Sequence, residues 1–438
     1  MVSLAKYQNR NIAIYGMGLS GCSVAKTLKK MKAKIYCWDD SNSIRKKIKN
    51  LDFPINKFWL NNNKNLIDYI VVSPGIDINK CKIRYYLKKN LKKIITDLDL
   101  FFELNKDALI ISITGTNGKS TTCKIIEKIL KTAGYNARTG GNIGDPVLSL
   151  SKSKRKNVFI LEISSYQLQY SKLFRSKHAA ILNISTDHLE RHKSIESYIR
   201  IKSRILFAQK KSDYSYVNSI NKYTKSITNI FKFRKLKSKL IAINKHDCNF
   251  LINKINNNYF KSKGNIENLA FAYRIAKNLK INDNIIVSAL KKFKGLPHRQ
   301  EVVFSNKRLT CVNDSKATSF DACLQSLLNY EKIYWIVGGL PKQDDFINLE
   351  GVSKKIVKAY IIGKSTSFFG KQIEKNVVCT VSKNLKIAIQ NIYIDIKRDK
   401  NLKNTILLSP AAASFDQFSS FEERGNYFKN LVVKKFNV

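Results

Sequence analysis

At 438 residues the chain has room for about three domains of roughly 150 residues each, and its 44% hydrophobic content contains no apolar run approaching the length of a membrane span. Lys and Arg total 79 against 32 Asp and Glu, a formal charge of +47, but the basic residues are spread over the whole chain without an RNA-recognition signature, which argues against a dedicated nucleic-acid binder. The excess accompanies abundant Asn, Ile, Tyr and Phe, residue types that share A/T-rich codons, so genome composition accounts for it.

A positive field still draws in anionic substrates. Met1 to Arg10 lack the apolar core of a secretory signal, so cytoplasmic residence is expected. The eight cysteines form no C-x-x-C pair and several sit in apolar segments, which reads as reduced core thiols.

Short apolar runs alternate with amphipathic stretches, the pattern of an α/β protein with mostly parallel sheets. In the first region Ile12 to Tyr15, Lys34 to Trp38 and Tyr69 to Val72 are predicted strands. Gly16-Met17-Gly18-Leu19-Ser20-Gly21 follows the first of them and opens a helix, a setting in which glycines let the backbone approach a diphosphate. Asp39, at the end of the second strand, is placed to accept from a ribose or base. Ser73-Pro74-Gly75 ends the third, at the sheet edge where ligands collect.

The second region opens on the strand Leu109 to Ile113, followed by Thr114-Gly115-Thr116-Asn117-Gly118-Lys119-Ser120-Thr121 and a helix. Strand, glycine-rich turn and helix make a phosphate cradle: backbone N–H groups and the positive helix end hold a polyphosphate, Lys119 reaches its terminal oxygens, and Ser120 or Thr121 offers a hydroxyl to magnesium. The usual P-loop pattern would place glycine at Ile113, so this is a variant, but ATP or a similar nucleotide is the expected ligand. Predicted strands follow at Val158 to Ile163, Ala179 to Ile184 and Leu240 to Ile243. The first carries Glu162, a hard oxygen ligand suited to magnesium at the edge that bears the loop. The second leads into Asn183-Ile184-Ser185-Thr186-Asp187-His188-Leu189-Glu190-Arg191-His192, whose acids and histidines suit a metal or phosphate site. A helix is predicted from Ser194 to Ala208. Asn218 to Lys239 is basic and weakly patterned, and Lys294 to Arg299, with Gly295 and Pro297, reads as a linker.

Beyond it, strands are predicted at Leu309 to Val312, Ile333 to Val337, Ala359 to Ile362 and Thr405 to Leu408. Three of them end in polar turns: Asn313 to Thr318, Gly338-Gly339 with Lys342 and Asp345, and Ser409-Pro410 with Ser414 and, further on, Phe421. Lysines and hydroxyls gathered at one edge suit a small anionic substrate.

These motifs, in this order, resemble the Mur ligase family over nearly the whole chain: GMGLSG at 16–21, SPG at 73–75, TGTNGKST at 114–121, GNIG at 141–144, EISSYQL at 162–168, DHLERH at 187–192, NDSKAT at 313–318, GGLPKQDDF at 338–346 and SPAAASFDQF at 409–418. The resemblance is to the members that add D-glutamate to UDP-N-acetylmuramoyl-L-alanine in peptidoglycan precursor synthesis. It implies three α/β domains: a Rossmann-like domain over 1–107 for the UDP-substrate, a central P-loop-type domain over 108–296 for ATP and Mg2+, and a Rossmann-like domain over 297–438 for D-glutamate. A monomer acting on small molecules is implied.

By the same resemblance the substrate carboxylate attacks the γ-phosphate, an acyl phosphate forms, and the amine of D-glutamate displaces phosphate. Lys119 then stabilises the transferred group, and Ser120, Glu162, His188 and Lys202 hold metal, Lys202 matching a lysine that becomes carbamylated. Gly18, Leu19, Ser20, Asp39, Ser73, Pro74, Gly75 and Asn142 match contacts to the UDP-substrate. Gly115 to Thr121, Asn268, Arg299, Asp314 and Lys316 match the nucleotide site; Thr318, Lys342, Ser414 and Phe421 match the D-glutamate site. The sequence departs from the family at Gly264-Asn265, where His-Asn is usual, and at Glu190, where Asp is usual; the first bears on the adenine pocket. An RNA-binding protein and a folate-type polyglutamating ligase are the alternatives, the latter sharing the phosphate loop.

Overall fold

The computed structural model describes residues 6–60, 66–142, 144–150, 157–341, 346–399 and 403–436. The chain divides into two compact units, one of residues 1–260 and 265–292, the other of 261–264 and 293–438.

The first unit carries two sheets. The N-terminal one joins β1 (Asn11–Tyr15), β2 (Lys34–Trp38), β3 (Tyr69–Val72) and β4 (Ile94–Ile95) in the order β2-β1-β3-β4, all parallel. The other joins β5 (Leu109–Thr114), β6 (Asn136–Gly141), β7 (Asn157–Glu162), β8 (His178–Ile181), β9 (Tyr214–Asn218) and β10 (Lys239–Ile243) in the order β10-β9-β8-β5-β7-β6, also parallel. Helices α1 (Leu19–Lys30), α2 (Lys119–Thr132), α3 (Ile195–Ser203) and α4 (Lys263–Asn278) follow the strands.

The second unit is built on β11 (Glu301–Ser305), β12 (Leu309–Asn313), β13 (Ile333–Gly338), β14 (Ile356–Ile362), β15 (Cys379–Lys383) and β16 (Asn404–Leu408), ordered β11-β12-β16-β13-β14-β15. Only β11 runs antiparallel, against β12. Helix α5 (Phe421–Phe436) closes the chain.

Parallel strands covered on both faces are apolar without alternation, and this explains why β5, β7 and β13 read as unbroken hydrophobic runs. Every residue of β13 is buried. Trp335 and Val337 pack into one core cluster of this sheet and Tyr334 and Ile336 into another. The strand ends leave that apolar environment, so polar loops collect at the carboxyl edge of each sheet, where a ligand can reach them.

The predicted β2 and β3 match in full, and Leu309 to Val312 and Thr405 to Leu408 extend by one residue each. Ala179 to Ile184 is shorter, ending at Ile181, because Asn183 turns to the phosphate loop. The helix predicted over 194–208 ends at Ser203 and continues as a 3-10 turn from Arg204 to Leu206. The weakly patterned stretch 218–239 contains a helix, Thr224–Phe233.

Candidate active site

The phosphate loop spans the six-residue β5 and the fourteen-residue α2, and Gly118 stands where the helix begins, in a left-handed conformation with φ of 83°. A Cβ there would lie 2.2 Å from Oδ1 of Asn268, so the turn needs glycine for its dihedral and for its space. Asn268 is buried near the start of α4, and its Oδ1 accepts from the Thr122 hydroxyl at 3.2 Å. The residue matched to the adenine contact thus packs directly against the loop.

Lys119 Nζ donates to Gly115 O at 2.8 Å and to Thr116 O at 2.7 Å. Lys202, on α3, reaches the same Gly115 carbonyl at 2.8 Å and Thr114 Oγ1 at 3.4 Å, and is only 2% exposed. Burial holds its ammonium well below the ordinary lysine range, the Lys119 charge adds to the effect, and Asp187 and Glu162 oppose it. Lys202 Nζ also lies over the Tyr198 ring, 4.7 Å from its centroid.

Glu162 ends β7, buried to 2% exposure. One carboxylate oxygen accepts from the Ser120 hydroxyl; the other accepts from Asn142 Nδ2 at 2.9 Å, and Asn142 N donates to Glu162 O at 2.9 Å. Asn142, matched to a substrate contact, is exposed and tied to Glu162. Ser120 and Thr121 are buried on the first turn of α2.

His188 opens a short helical turn with φ of 55°. Its Nδ1 lies 3.0 Å from the Tyr166 hydroxyl and its Nε2 3.3 Å from Asp187 Oδ2. Behind it His192 is buried, its Nε2 2.9 Å from Ser165 Oγ, and burial first, then the neighbouring His188, Arg191 and Lys202 charges, push it down to about 4. Lys119, Ser120, Glu162 and Lys202 therefore gather around one loop, while His188 stands in the turn after β8 against Tyr166 and Asp187. Tyr166, Tyr198 and His192 pack around this cluster; Tyr166 lies within EISSYQL and His192 within DHLERH, whereas Tyr198 carries no sequence signal of its own.

At the edge of the N-terminal sheet the glycine loop keeps Gly18 and Leu19 exposed, Leu19 at 80%, with Ser20 half-buried. Ser73 Oγ donates to Gly16 O at 2.6 Å, joining the loops after β1 and β3, and Pro74 and Gly75 follow it to the surface. Asp39 is buried: Oδ2 accepts from Met17 N at 2.7 Å and Oδ1 from Ser41 N at 2.9 Å. The carboxylate expected to receive a ribose or base is here engaged with the main chain of the glycine loop and of its own turn.

In the second unit Asp314 follows β12 and is buried, its Oδ2 accepting from Ser326 Oγ at 2.5 Å and Ser409 Oγ at 2.9 Å, its Oδ1 from Gln300 N at 3.1 Å. Burial pushes its carboxyl up to about 6, against the hydroxyl donors and the Arg299 charge. Lys316 Nζ sits 3.8 Å from the centroid of the Phe421 ring, and Lys316 N donates to His298 O at 3.1 Å. Ser414 is buried and its carbonyl accepts from Phe418 N at 2.9 Å; Thr318 is half-buried. Lys342 and Asp345 lie outside the described residues. Arg424, unmarked in the sequence, is 1% exposed and donates to Ser315 Oγ, Ser315 O and Ala412 O at 3.0, 2.8 and 3.1 Å, clamping two of the three polar turns.

Parallel α/β sheets with a variant phosphate loop, a strand-end carboxylate and a buried lysine define a nucleotide-dependent ligase class, and residues 113–286 match the Mur ligase middle domain. The chain is 34% identical to UDP-N-acetylmuramoylalanine--D-glutamate ligase of Rickettsia bellii over 97% of its length and 98% of that protein's. It is 32% identical to the enzyme of the same name from the Wolbachia of Brugia malayi, over 99% and 98%. The chain belongs to the Mur ligase family. The fold is shared with UDP-N-acetylmuramate-alanine ligase MurC of Thermotoga maritima, at 15% identity and a TM-score of 0.54 over 98% of this chain and 99% of that one. MurF of Acinetobacter baumannii has it too, at 15% identity and 0.55 over 85% and 86%. Among the described residues no helix is long and apolar enough to cross a membrane.

Proposed function

We propose that the chain is an ATP-dependent ligase that joins the amine of D-glutamate to the carboxyl group of UDP-N-acetylmuramoyl-L-alanine, releasing ADP and phosphate, in peptidoglycan precursor synthesis. The observation that carries this reading is the convergence of Lys119, Glu162 and Lys202 on a single phosphate loop, in a chain similar over nearly its full length to D-glutamate ligases.

A carboxylate is a poor acyl donor, and phosphorylation installs a leaving group. The start of α2 binds the polyphosphate through its N–H groups and dipole. Lys119 leaves its carbonyl partners for the γ-phosphoryl oxygens and offsets the charge that develops there. Magnesium fits the residues present: the ion takes one or two protein oxygens and completes its shell with phosphates and water, and the buried Glu162 carboxylate with the Ser120 hydroxyl bonded to it offers such oxygens. Glu162 and Ser120 would supply oxygens to it, and His188 is the further ligand the family resemblance implies. Bound there, it would neutralise phosphoryl charge. Burial favours the uncharged amine of Lys202, the form that adds carbon dioxide, and the carbamate so formed would be an anion facing Lys119.

The loops at 16–21 and 73–75 hold the UDP portion, with Asp39 and Asn142 shaping that site. Arg299, Asp314 and Lys316 serve the nucleotide, and Thr318, Lys342, Ser414 and Phe421 take D-glutamate. Domains bounded at 107 and 296 divide these tasks, and the enzyme acts as a monomer in the cytoplasm. The test is ADP release by purified protein. We expect it only when ATP, magnesium, the UDP-sugar acid and D-glutamate are all present; release with a folate and L-glutamate instead would overturn the substrate assignment.

A further inference from the structure

The polar segment after β8 is used in the catalytic reading only from Asp187 onward, yet its first residue, Asn183, makes the closest contacts to the phosphate loop. Its carbonyl accepts from Thr116 N at 2.9 Å, continuing the β8 ladder past Leu182, whose N donates to Thr114 O at 2.9 Å. Its side-chain amide then grips the next residue from both sides: Oδ1 accepts from Asn117 N at 2.9 Å, and Nδ2 donates to Asn117 O at 3.2 Å. The same Nδ2 donates to Glu267 Oε1 at 3.3 Å, on α4 beside Asn268. Gly115 lies so close that a Cβ on it would stand 3.3 Å from both Asn183 N and Asn183 O.

We propose that Asn183 is a positioning residue for ATP: it fixes the peptide planes of Thr116 and Asn117 so that the loop enters α2 with its N–H groups aimed at the phosphates. Two consecutive loop N–H groups, at Thr116 and Asn117, are committed to Asn183, which leaves phosphate binding to the N–H groups of the helix start, where the dipole favours an anion. An amide is the side chain that can offer an acceptor to one main-chain N–H and a donor to the adjoining carbonyl in one plane. Glu267 extends the support to α4, so that the phosphate loop and the helix carrying Asn268 are set by one side chain. Asn183 touches no reacting atom in this scheme; it acts through the loop, and the inference rests on the reading that ATP binds there.

The test uses the full chain as wild type, Asn183→Ala, Glu267→Ala and Lys119→Ala, measuring equilibrium binding of ADP and of a non-hydrolysable ATP analogue, then KM for each substrate. We expect Asn183→Ala to weaken nucleotide binding about tenfold, for two lost hydrogen bonds, and to raise KM for ATP in parallel. KM for D-glutamate and for the UDP-sugar should stay within about twofold, a split that general loosening of the fold would not produce. Glu267→Ala, which removes the 3.3 Å contact to Asn183 and leaves the Asn183 bonds to Asn117 in place, should shift nucleotide affinity in the same direction by less, and decides the matter if Asn183→Ala does not fold. Unchanged nucleotide affinity, or an equal rise in all three KM values, overturns the proposal. If wild type binds no nucleotide, the reading of the loop itself fails; if Lys119→Ala loses nucleotide and Asn183→Ala keeps it, the role of Asn183 alone fails.

Discussion

Lys119 and Lys202 donate to one carbonyl oxygen, that of Gly115, each at 2.8 Å. Two ammonium groups on one carbonyl repel each other, and burial places the larger cost of charge on Lys202, which is enclosed while Lys119 is half-buried. The loop is therefore poised for an anion that would separate the pair.

Burial lowers the Lys202 value in the folded state, a proton deficit relative to the unfolded state, so its contribution to stability rises with pH up to the ordinary lysine range. Replacing it by Met removes that deficit. In bicarbonate-free buffer we expect Lys202→Met to melt at or above the wild-type temperature at neutral pH, with the gap narrowing as pH rises, while turnover falls by about a hundredfold or more. Melting curves from neutral to alkaline pH, with initial rates, check both parts.

Gly118→Ala should uncouple fold from nucleotide use. The added carbon meets Asn268 Oδ1 at 2.2 Å and sits at φ of 83°, a backbone region costing about 1–2 kcal/mol for an L-residue. The loop is expected to shift, raising KM for ATP by about tenfold or more. Steady-state rates at varied ATP measure this.

Asp314 has the opposite sign of linkage to a paired carboxylate. Its folded value is raised to about 6, so the protonated form favours folding and that contribution is lost as pH rises from about 4 through about 6. The stability of wild type minus that of Asp314→Asn should fall across this window by about 3 kcal/mol. Denaturant titrations of both proteins at intervals of pH give the difference curve.

Arg424 joins two polar turns through three hydrogen bonds, and burial lowers its guanidinium to about 10. Arg424→Ala leaves buried carbonyl groups unmatched and should cost about 3 kcal/mol. Arg424→Lys keeps the charge but not the planar fork, and we expect it to recover less than half of that loss. Thermal unfolding of the two variants separates fork from charge.

Much of the architecture was legible because fully buried parallel strands are short apolar runs: Lys34 to Trp38 and Tyr69 to Val72 were readable end to end. The strands that escaped notice are β4, of two residues, and β6, β9, β11 and β15. Four of these are sheet edges, β9 alone being internal; β6 carries two glycines, and β11 and β15 are partly exposed. The phosphate loop and strand-end acid were visible as local motifs. Asn183, Tyr198 and Arg424 were not picked out, since their partners at 117, 202 and 315 are brought to them only by folding. Asp39 shows the converse, a residue well placed in sequence whose oxygens the backbone already engages.

The central claim, activation of the substrate acid by phosphoryl transfer at this loop, is tested most directly with UDP-N-acetylmuramoyl-L-alanine carrying oxygen-18 in its terminal carboxylate. Turnover with ATP and D-glutamate should move one labelled oxygen into each phosphate released and leave the other in the amide. Phosphate free of label, with both labelled oxygens remaining on unreacted acid or lost to water, would contradict the account.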